Sequence, residues 1–296
     1  RTGRRRVGIL ISSFRQVFSP ASWPVGENYW GNNFSEKNKS YSRDSRRPIV
    51  SLTDFYIFAT LPCPELVSLF FHLYNYRNKI KFKMRKIAIA GAGGFSKEVY
   101  LTINDINKQD CQWDFIGFFD DNVPQGKFFT DLRVLGTIND LNQIAEETDV
   151  IIAAGKSNNI LSILQKLDSD KLNFPNLFHP SCQSLHFESM IIGKGNIVQS
   201  FSSLSADNKI GNYNVFNAGV RVGHDTIIGN YNTFATSTLI SGGVEIGDQN
   251  DFGMNSGILQ YKKVGNGNVI APMSVLFKSI KDNGHYLGVP AMSTGV

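Results

Sequence analysis

Every sixth residue from Ile192 to Leu276 is apolar: Ile192, Val198, Leu204, Ile210, Phe216, Val222, Ile228, Phe234, Ile240, Ile246, Phe252, Ile258, Val264, Ile270 and Leu276. All 15 positions conform, in a chain whose overall apolar content is 42%. A step of six residues is about 600° on a helix and would smear these side chains around every face, so a helix is excluded. A period of 18 overlies the first. Ile192-Gly193, Ile210-Gly211, Ile228-Gly229, Ile246-Gly247 and Val264-Gly265 are each followed by an Asn, at Asn196, Asn214, Asn232, Asn250 and Asn268. Self-similarity of this kind marks a solenoid.

Three sixes per turn predict a triangular prism, each face a short strand with one large side chain pointing inward. Gly and Asn are expected at the corners because they tolerate the left-handed backbone conformation best. Five coils at roughly 4.8 Å each predict a column about 24 Å tall. After Leu276 the phase is lost, and Lys278 to Val296 is expected to cap the open end, where an unpaired edge would otherwise invite other chains.

Upstream of the repeats the pattern is α/β. Strands are predicted at 86–90, 113–119, 150–154 and 176–178, and helices at 96–106, 140–147 and 158–167. A tight loop is predicted at Gly91 to Gly94. Strands alternating with helices imply a parallel sheet, here a small Rossmann-like domain over 84–180, with the β-helix domain and its cap over 181–296. The Gly91-x-Gly93-Gly94 loop lacks the third glycine of the dinucleotide fingerprint. A glycine loop leading into a helix N-terminus can nonetheless hold a phosphate. Asp120 and Asp121 end the second strand, as acidic residues commonly do in nucleotide-binding sheets.

Charge is divided unevenly. Residues 1–83 carry 14 Lys/Arg against 5 Asp/Glu, and residues 84–296 carry 16 against 20. The net +5 therefore belongs to a basic leader of doubtful status, read as upstream translation or an extension. Its most apolar stretch, Val50 to Tyr76, is broken by Pro62, Pro64 and Glu65, which argues against a membrane span. Nothing argues for nucleic acid as a partner. Three cysteines without motif spacing indicate a reducing, cytoplasmic compartment.

Taken together, the [LIV]-G-x-x-N phase, Gly91-Ala92-Gly93-Gly94 after a strand, Phe119-Asp120-Asp121-Asn122, His224-Asp225 within a repeat and Gly288-Val289-Pro290-Ala291 near the end resemble the hexapeptide-repeat sugar acetyltransferases. These include bacterial sialic acid O-acetyltransferase and the UDP-4-amino-sugar N-acetyltransferases. The resemblance implies a left-handed parallel β-helix, a homotrimer with CoA lying between two prisms, acetyl-CoA as co-substrate and a nucleotide sugar as acceptor, in surface polysaccharide or glycan synthesis.

His224 lies two residues past the inward slot of Val222. The same phase elsewhere holds mostly small or polar residues, so the ring is expected at the outside or at a corner. A neutral imidazole can take a proton from an attacking amine or hydroxyl. The resemblance gives His224 that role, with Asp225 orienting the ring. Gly242 lies one coil further on, beside His224; the resemblance makes its amide the donor to the developing oxyanion. By the same resemblance Gly91, Gly93, Gly94, Phe95, Asp120, Asp121 and Asn217 contact the substrate. Thr233 stands where several relatives have a second His that contacts acetyl-CoA, and Phe95 where many have His. Lys262, Lys263, Lys278 and Lys281 are candidates for the CoA phosphates, and Lys262 and Lys278 join Thr233 and Gly242 as the expected cofactor contacts.

No metal is expected. Zinc on this prism needs three histidines in register, and of the five here only His224 lies within the repeats; His186 and His285 flank them, and His72 and His179 lie elsewhere. The leading expectation is N-acetylation of a nucleotide-linked amino sugar. The alternatives are O-acetylation of sialic acid or another sugar, a non-catalytic trimeric scaffold, and a nucleotide-dependent oxidoreductase, which would leave the solenoid unexplained.

Overall fold

The computed structural model describes residues 84–183 and 187–295; the expectations for residues 1–83 and His186 lie outside them. The α/β part comprises β1 (Arg85–Ala90), α1 (Gly94–Gln109), β2 (Trp113–Phe119), β3 (Gly126–Phe129), β4 (Leu132–Gly136), a 3-10 helix (Ile138–Gln143), β5 (Thr148–Ile152), α2 (Ser157–Leu164) and β6 (Leu172–Asn173). They form one sheet in the order β3-β4-β2-β1-β5-β6, parallel except for the β3–β4 hairpin. The central strand β1 is buried from Ile87 to Ala90, as a strand covered on both faces must be.

Two expectations are corrected here, and one element is new. The helix predicted at 140–147 is the 3-10 turn Ile138–Gln143. Asp140 accepts from the Thr137 N–H at 2.7 Å and from its hydroxyl at 2.9 Å, which starts the turn early, and Ile144 is already extended. The hairpin β3–β4 was not foreseen. The short strand predicted at 176–178, observed as β7 (Leu177–Phe178), pairs with Ile197–Val198 and so extends the prism instead of the α/β sheet.

The prism has three faces of two-residue strands. The first carries Ile191–Ile192, Lys209–Ile210, Ile227–Ile228, Glu245–Ile246 and Lys263–Val264; the second carries β7, Ile197–Val198, Val215–Phe216, Thr233–Phe234, Asp251–Phe252 and Val269–Ile270; the third carries Ser203–Leu204, Arg221–Val222, Leu239–Ile240, Gly257–Ile258 and Val275–Leu276. Pairing is parallel at a constant offset of 18 residues, as in Val215↔Thr233. Each of the 15 periodic residues is the second of its strand, and all but Ile192, which is half-buried, are buried. Phe216, Phe234 and Phe252 stack down the centre with ring centroids 5.0 Å apart.

The corner chemistry differs from expectation. The left-handed slot recurs every six residues, but it holds Phe201, Asp207, Tyr213, Asp225, Tyr231, Ser237, Gln249, Asn255, Tyr261 and Met273 as well as glycines. The repeat asparagines are not in it. They are fully buried and form a ladder: Asn214 Nδ2 donates to Asn196 Oδ1 at 3.0 Å, and the same bond recurs from Asn232, Asn250 and Asn268. The glycine of each repeat serves close approach: a Cβ on Gly211 would sit 2.5 Å from the Gly229 carbonyl oxygen.

Beyond Leu276 one more coil forms, two residues short. Ile280 bridges to Val264, the strand His285–Leu287 adds a rung to the second face, and the strand Met292–Ser293 folds back antiparallel on it. The α/β part packs on the second face. Ile197, Tyr213 and Val215 belong to the same apolar cluster as β1, β2 and β5. The first residues of strands on the first face are exposed instead.

Candidate active site

His224 stands at the corner between the third and first faces, after the strand Arg221–Val222. Its side chain is 60% exposed, so the expected outward placement holds. Asp225 occupies the left-handed slot of that corner (φ 56°), which turns its carboxylate back to the ring: Asp225 Oδ2 lies 2.7 Å from His224 Nδ1. With Nδ1–H donated to the carboxylate, Nε2 is left as the proton acceptor.

Gly242 stacks directly on the ring. A Cβ built there would lie 2.7 Å from His224 Nε2, so only glycine leaves the imidazole in place. The Gly243 N–H donates to the His224 carbonyl at 2.8 Å, and the Gly242 carbonyl accepts from the Tyr261 N–H at 3.1 Å. The Gly242 N–H has no acceptor among the described residues. At the corner between the first and second faces the corresponding amides are capped by side chains, as when the Asn212 N–H donates to Asn230 Oδ1 at 2.9 Å. The edge therefore offers a proton acceptor and a free amide side by side. Gly242→Ala should lower turnover about 100-fold, because displacing a catalytic group by about 1 Å costs that much; the fold, followed by circular dichroism, should not change. Full activity in Gly242→Ala would remove the close packing of ring and glycine from the chemistry.

Lys278 lies on the same edge, after Gln260, about 14 Å from His224 at three rungs of ~4.8 Å; it is exposed. Lys263 pairs with Glu245 at 2.7 Å, and Lys262 is half-buried in the same corner. Two expected residues are not brought to this edge. Asn217 precedes the strand Arg221–Val222 and sits at the corner between the second and third faces. Thr233 is on the second face, only 6% exposed, with its hydroxyl 2.5 Å from Asp251 Oδ1.

A separate cavity of about 410 Å³ opens on the α/β part. Gly91, Gly93, Gly94, Phe95, Asp120 and Asp121, all expected substrate contacts, line it. Gly91 has φ 116° and sits so close to the chain leaving β5 that a Cβ would meet the Ala153 carbonyl oxygen at 2.8 Å. Gly93 and Gly94 face open space, which keeps the mouth of α1 clear. Asp120 shapes the loop: one oxygen accepts the Ala92 N–H at 2.7 Å, the other the Asn122 and Val123 N–H groups at 2.7 and 3.0 Å. Asp121 accepts from the Ile138 N–H at 2.9 Å and from Lys166 Nζ at 2.5 Å. The bond from Lys166, aided by that from Ile138, holds its carboxyl below the ordinary value.

Sequence reasoning missed the opposite wall: Ala153, Gly155, Asn159, Ser162, Ile163 and Lys166. The signal was present, since 159, 162, 163 and 166 share one face of a helix at the i, i+3, i+4, i+7 spacing. Among the described residues no cluster of three or more His, Cys, Asp and Glu could hold a metal, and no helix is long and apolar enough to cross a membrane.

Residues 86–167 match the family model of the PglD N-terminal domain. A search of curated proteins finds no match. Among solved structures, the acetyltransferase domain of PglB from Neisseria gonorrhoeae is 25% identical, with a TM-score of 0.64, over 71% of this chain and 99% of that one; that domain is also known in complex with acetyl coenzyme A. WeeI from Acinetobacter baumannii is 25% identical, with a TM-score of 0.59, over 71% of this chain and all of that one (100%). PerB from Caulobacter crescentus, in complex with CoA and GDP-perosamine, shares the fold at 20% identity, with a TM-score of 0.62 over 71% of this chain and 97% of that one. The chain is thus an acyltransferase whose prism is a left-handed parallel β-helix. Within that class the structures it matches include sugar acetyltransferases, which it resembles in fold and, over residues 86–167, in sequence.

Proposed function

We propose that the chain transfers an acetyl group from acetyl-CoA to the amine of a nucleotide-linked amino sugar. The observation that carries this reading is the edge itself: His224 Nε2 packed on Gly242, whose amide has no partner among the described residues. The sugar amine attacks the thioester carbonyl and forms the N–C bond while His224 Nε2 takes the proton from that nitrogen. The Gly242 N–H holds the oxyanion as it develops. The C–S bond then breaks and the CoA thiolate leaves, to be protonated. Asp225 stabilises the imidazolium between the two proton transfers. Lys278, further along the edge, meets the phosphates of CoA.

The cavity at Gly91 to Phe95 takes the nucleotide, with Lys166 as the cation on its far wall. The cavity belongs to the α/β part, which covers the second face, whereas His224 lies on the edge opposite that face. One chain therefore holds its cavity and its imidazole on different sides of the prism. A homotrimer resolves this by setting the cavity of one copy against the edge of another. The exposed apolar residues of the third face and its borders, Leu239, Met254, Leu259, Tyr261, Met273 and Phe277, supply the contact. The two described cysteines, Cys111 and Cys182, are free thiols, consistent with a cytoplasmic enzyme.

The test is a panel of UDP-, dTDP- and GDP-linked 4-amino sugars and free sialic acid, each incubated with acetyl-CoA and scored by mass gain. Acetylation of one amino sugar is expected. Acetylation of sialic acid alone would replace N- by O-transfer, and absence of CoA binding in calorimetry would leave a scaffold.

A further inference from the structure

The helix α2 begins without a cap of its own. Its N-cap residue, Lys156, makes no side-chain capping bond, and no acidic residue lies in its first turn. The acceptor comes from 94 residues downstream: Asp251 Oδ1, on the second face of the prism, accepts the Ser157 N–H at 3.0 Å. The same oxygen accepts the Thr233 hydroxyl from the neighbouring coil. Ser157 is 3% exposed and Thr233 6%, so the bond is shielded from water. A carboxylate at a helix N-terminus both satisfies an orphan amide and meets the positive end of the helix dipole. What α2 carries is one wall of the cavity: Asn159, Ser162 and Ile163 on the helix, Lys166 just past it, and Ala153 to Gly155 leading in. The facing wall, Gly91 to Phe95, is held from the other side, by Asp120 on the Ala92 N–H and by the Gly91 N–H, which donates to the Phe119 carbonyl at 2.7 Å.

We propose that Asp251 is a positioning residue for the cavity, through which the prism holds the α2 wall in the geometry that binds the nucleoside diphosphate of the acceptor, with Thr233 orienting its carboxylate. This rests on the reading of the cavity as a nucleotide-sugar site. It also gives Thr233 a role distinct from contact with the cofactor.

The test uses the full chain and the variants Asp251→Ala, Asp251→Asn and Thr233→Val, with UDP, dTDP and GDP as probes in calorimetry. For the nucleotide that binds the unmodified chain, Asp251→Ala should raise Kd about tenfold, the size of a lost cap, with acetyl-CoA affinity unchanged. In turnover the loss should appear in KM for the nucleotide sugar, with kcat within about twofold. Asp251→Asn keeps an acceptor and loses the charge, so it should fall between. Amide hydrogen exchange should quicken across residues 153–166 and stay constant across 94–109. That readout needs no ligand, so it decides the pinning even if none of the three nucleotides binds and the reading of the cavity fails. Unchanged exchange at 153–166, or equal losses of nucleotide and acetyl-CoA affinity, would overturn the proposal. Should Asp251→Ala not fold, Thr233→Val must show the same pattern at smaller size, and its absence there counts equally against it.

Discussion

Replacing His224 with Ala should lower acetyl transfer about 1,000-fold, within the range that a positioned proton acceptor contributes, with the prism intact. The side chain is largely exposed and its ring makes one hydrogen bond, to Asp225, so no core contact is lost. Thiol release from acetyl-CoA, measured with the sugar acceptor present, reads the chemical step, and thermal unfolding reads the fold. Asp225→Asn separates the carboxylate from the backbone. Asn is among the few side chains at ease in the left-handed slot that Asp225 occupies. A loss of activity there reports the missing charge and not a strained corner. If His224→Ala keeps full turnover, proton transfer happens elsewhere and the edge is not the active site.

The second large effect is a recovery. Gly93→Trp should fill the cavity without strain, since a side chain at Gly93 meets nothing within 4 Å, and its φ of −91° suits any residue. Alone, this variant and His224→Ala should both be nearly inactive. Expressed together, they should regain about a quarter of the unmodified activity if cavity and imidazole are contributed by different copies. Under random mixing, one junction in four pairs an intact cavity with an intact ring. If both groups act within one chain, the mixture stays inactive. Equal activity before and after mixing is thus the outcome that removes the shared site.

The inward positions of the prism were legible because each coil repeats the same local problem, so the period survives in the sequence. The outward positions were not. Ile197 and Val215 lie under the α/β part while Ile191 and Ile227, as apolar and at the same place in their strands, are exposed. Nothing local distinguishes them; the docked neighbour does. The same gap hid the partner of Thr233. His224, Asp225 and Gly242 could be placed together because 18-residue stacking fixes their neighbourhood. Asn217, set apart by a corner, could not. On the α/β part the glycine loop and the two aspartates announced one wall of the cavity, whereas the roles of Asp120 and Lys166 depended on tertiary contacts. The repeat asparagines were assigned to corners on backbone tolerance, but their side-chain amides can join consecutive coils, and that ladder buries them.

A ladder that passes one amide bond from Asn196 to Asn268 also makes length come in steps. Gaining or losing 18 residues adds or removes one whole rung and leaves every bond above and below with a partner; the ladder changes step only at its ends, where Asn196 donates to Asn176 across 20 residues and the Gly284 N–H donates to Asn268 across 16. Inserted between Gly242 and Lys278, such a rung would lengthen the gap from ring to lysine by about 4.8 Å. The edge is graduated in turns like a ruler, and on the proposed reading the acetyl donor laid along it is measured in whole divisions.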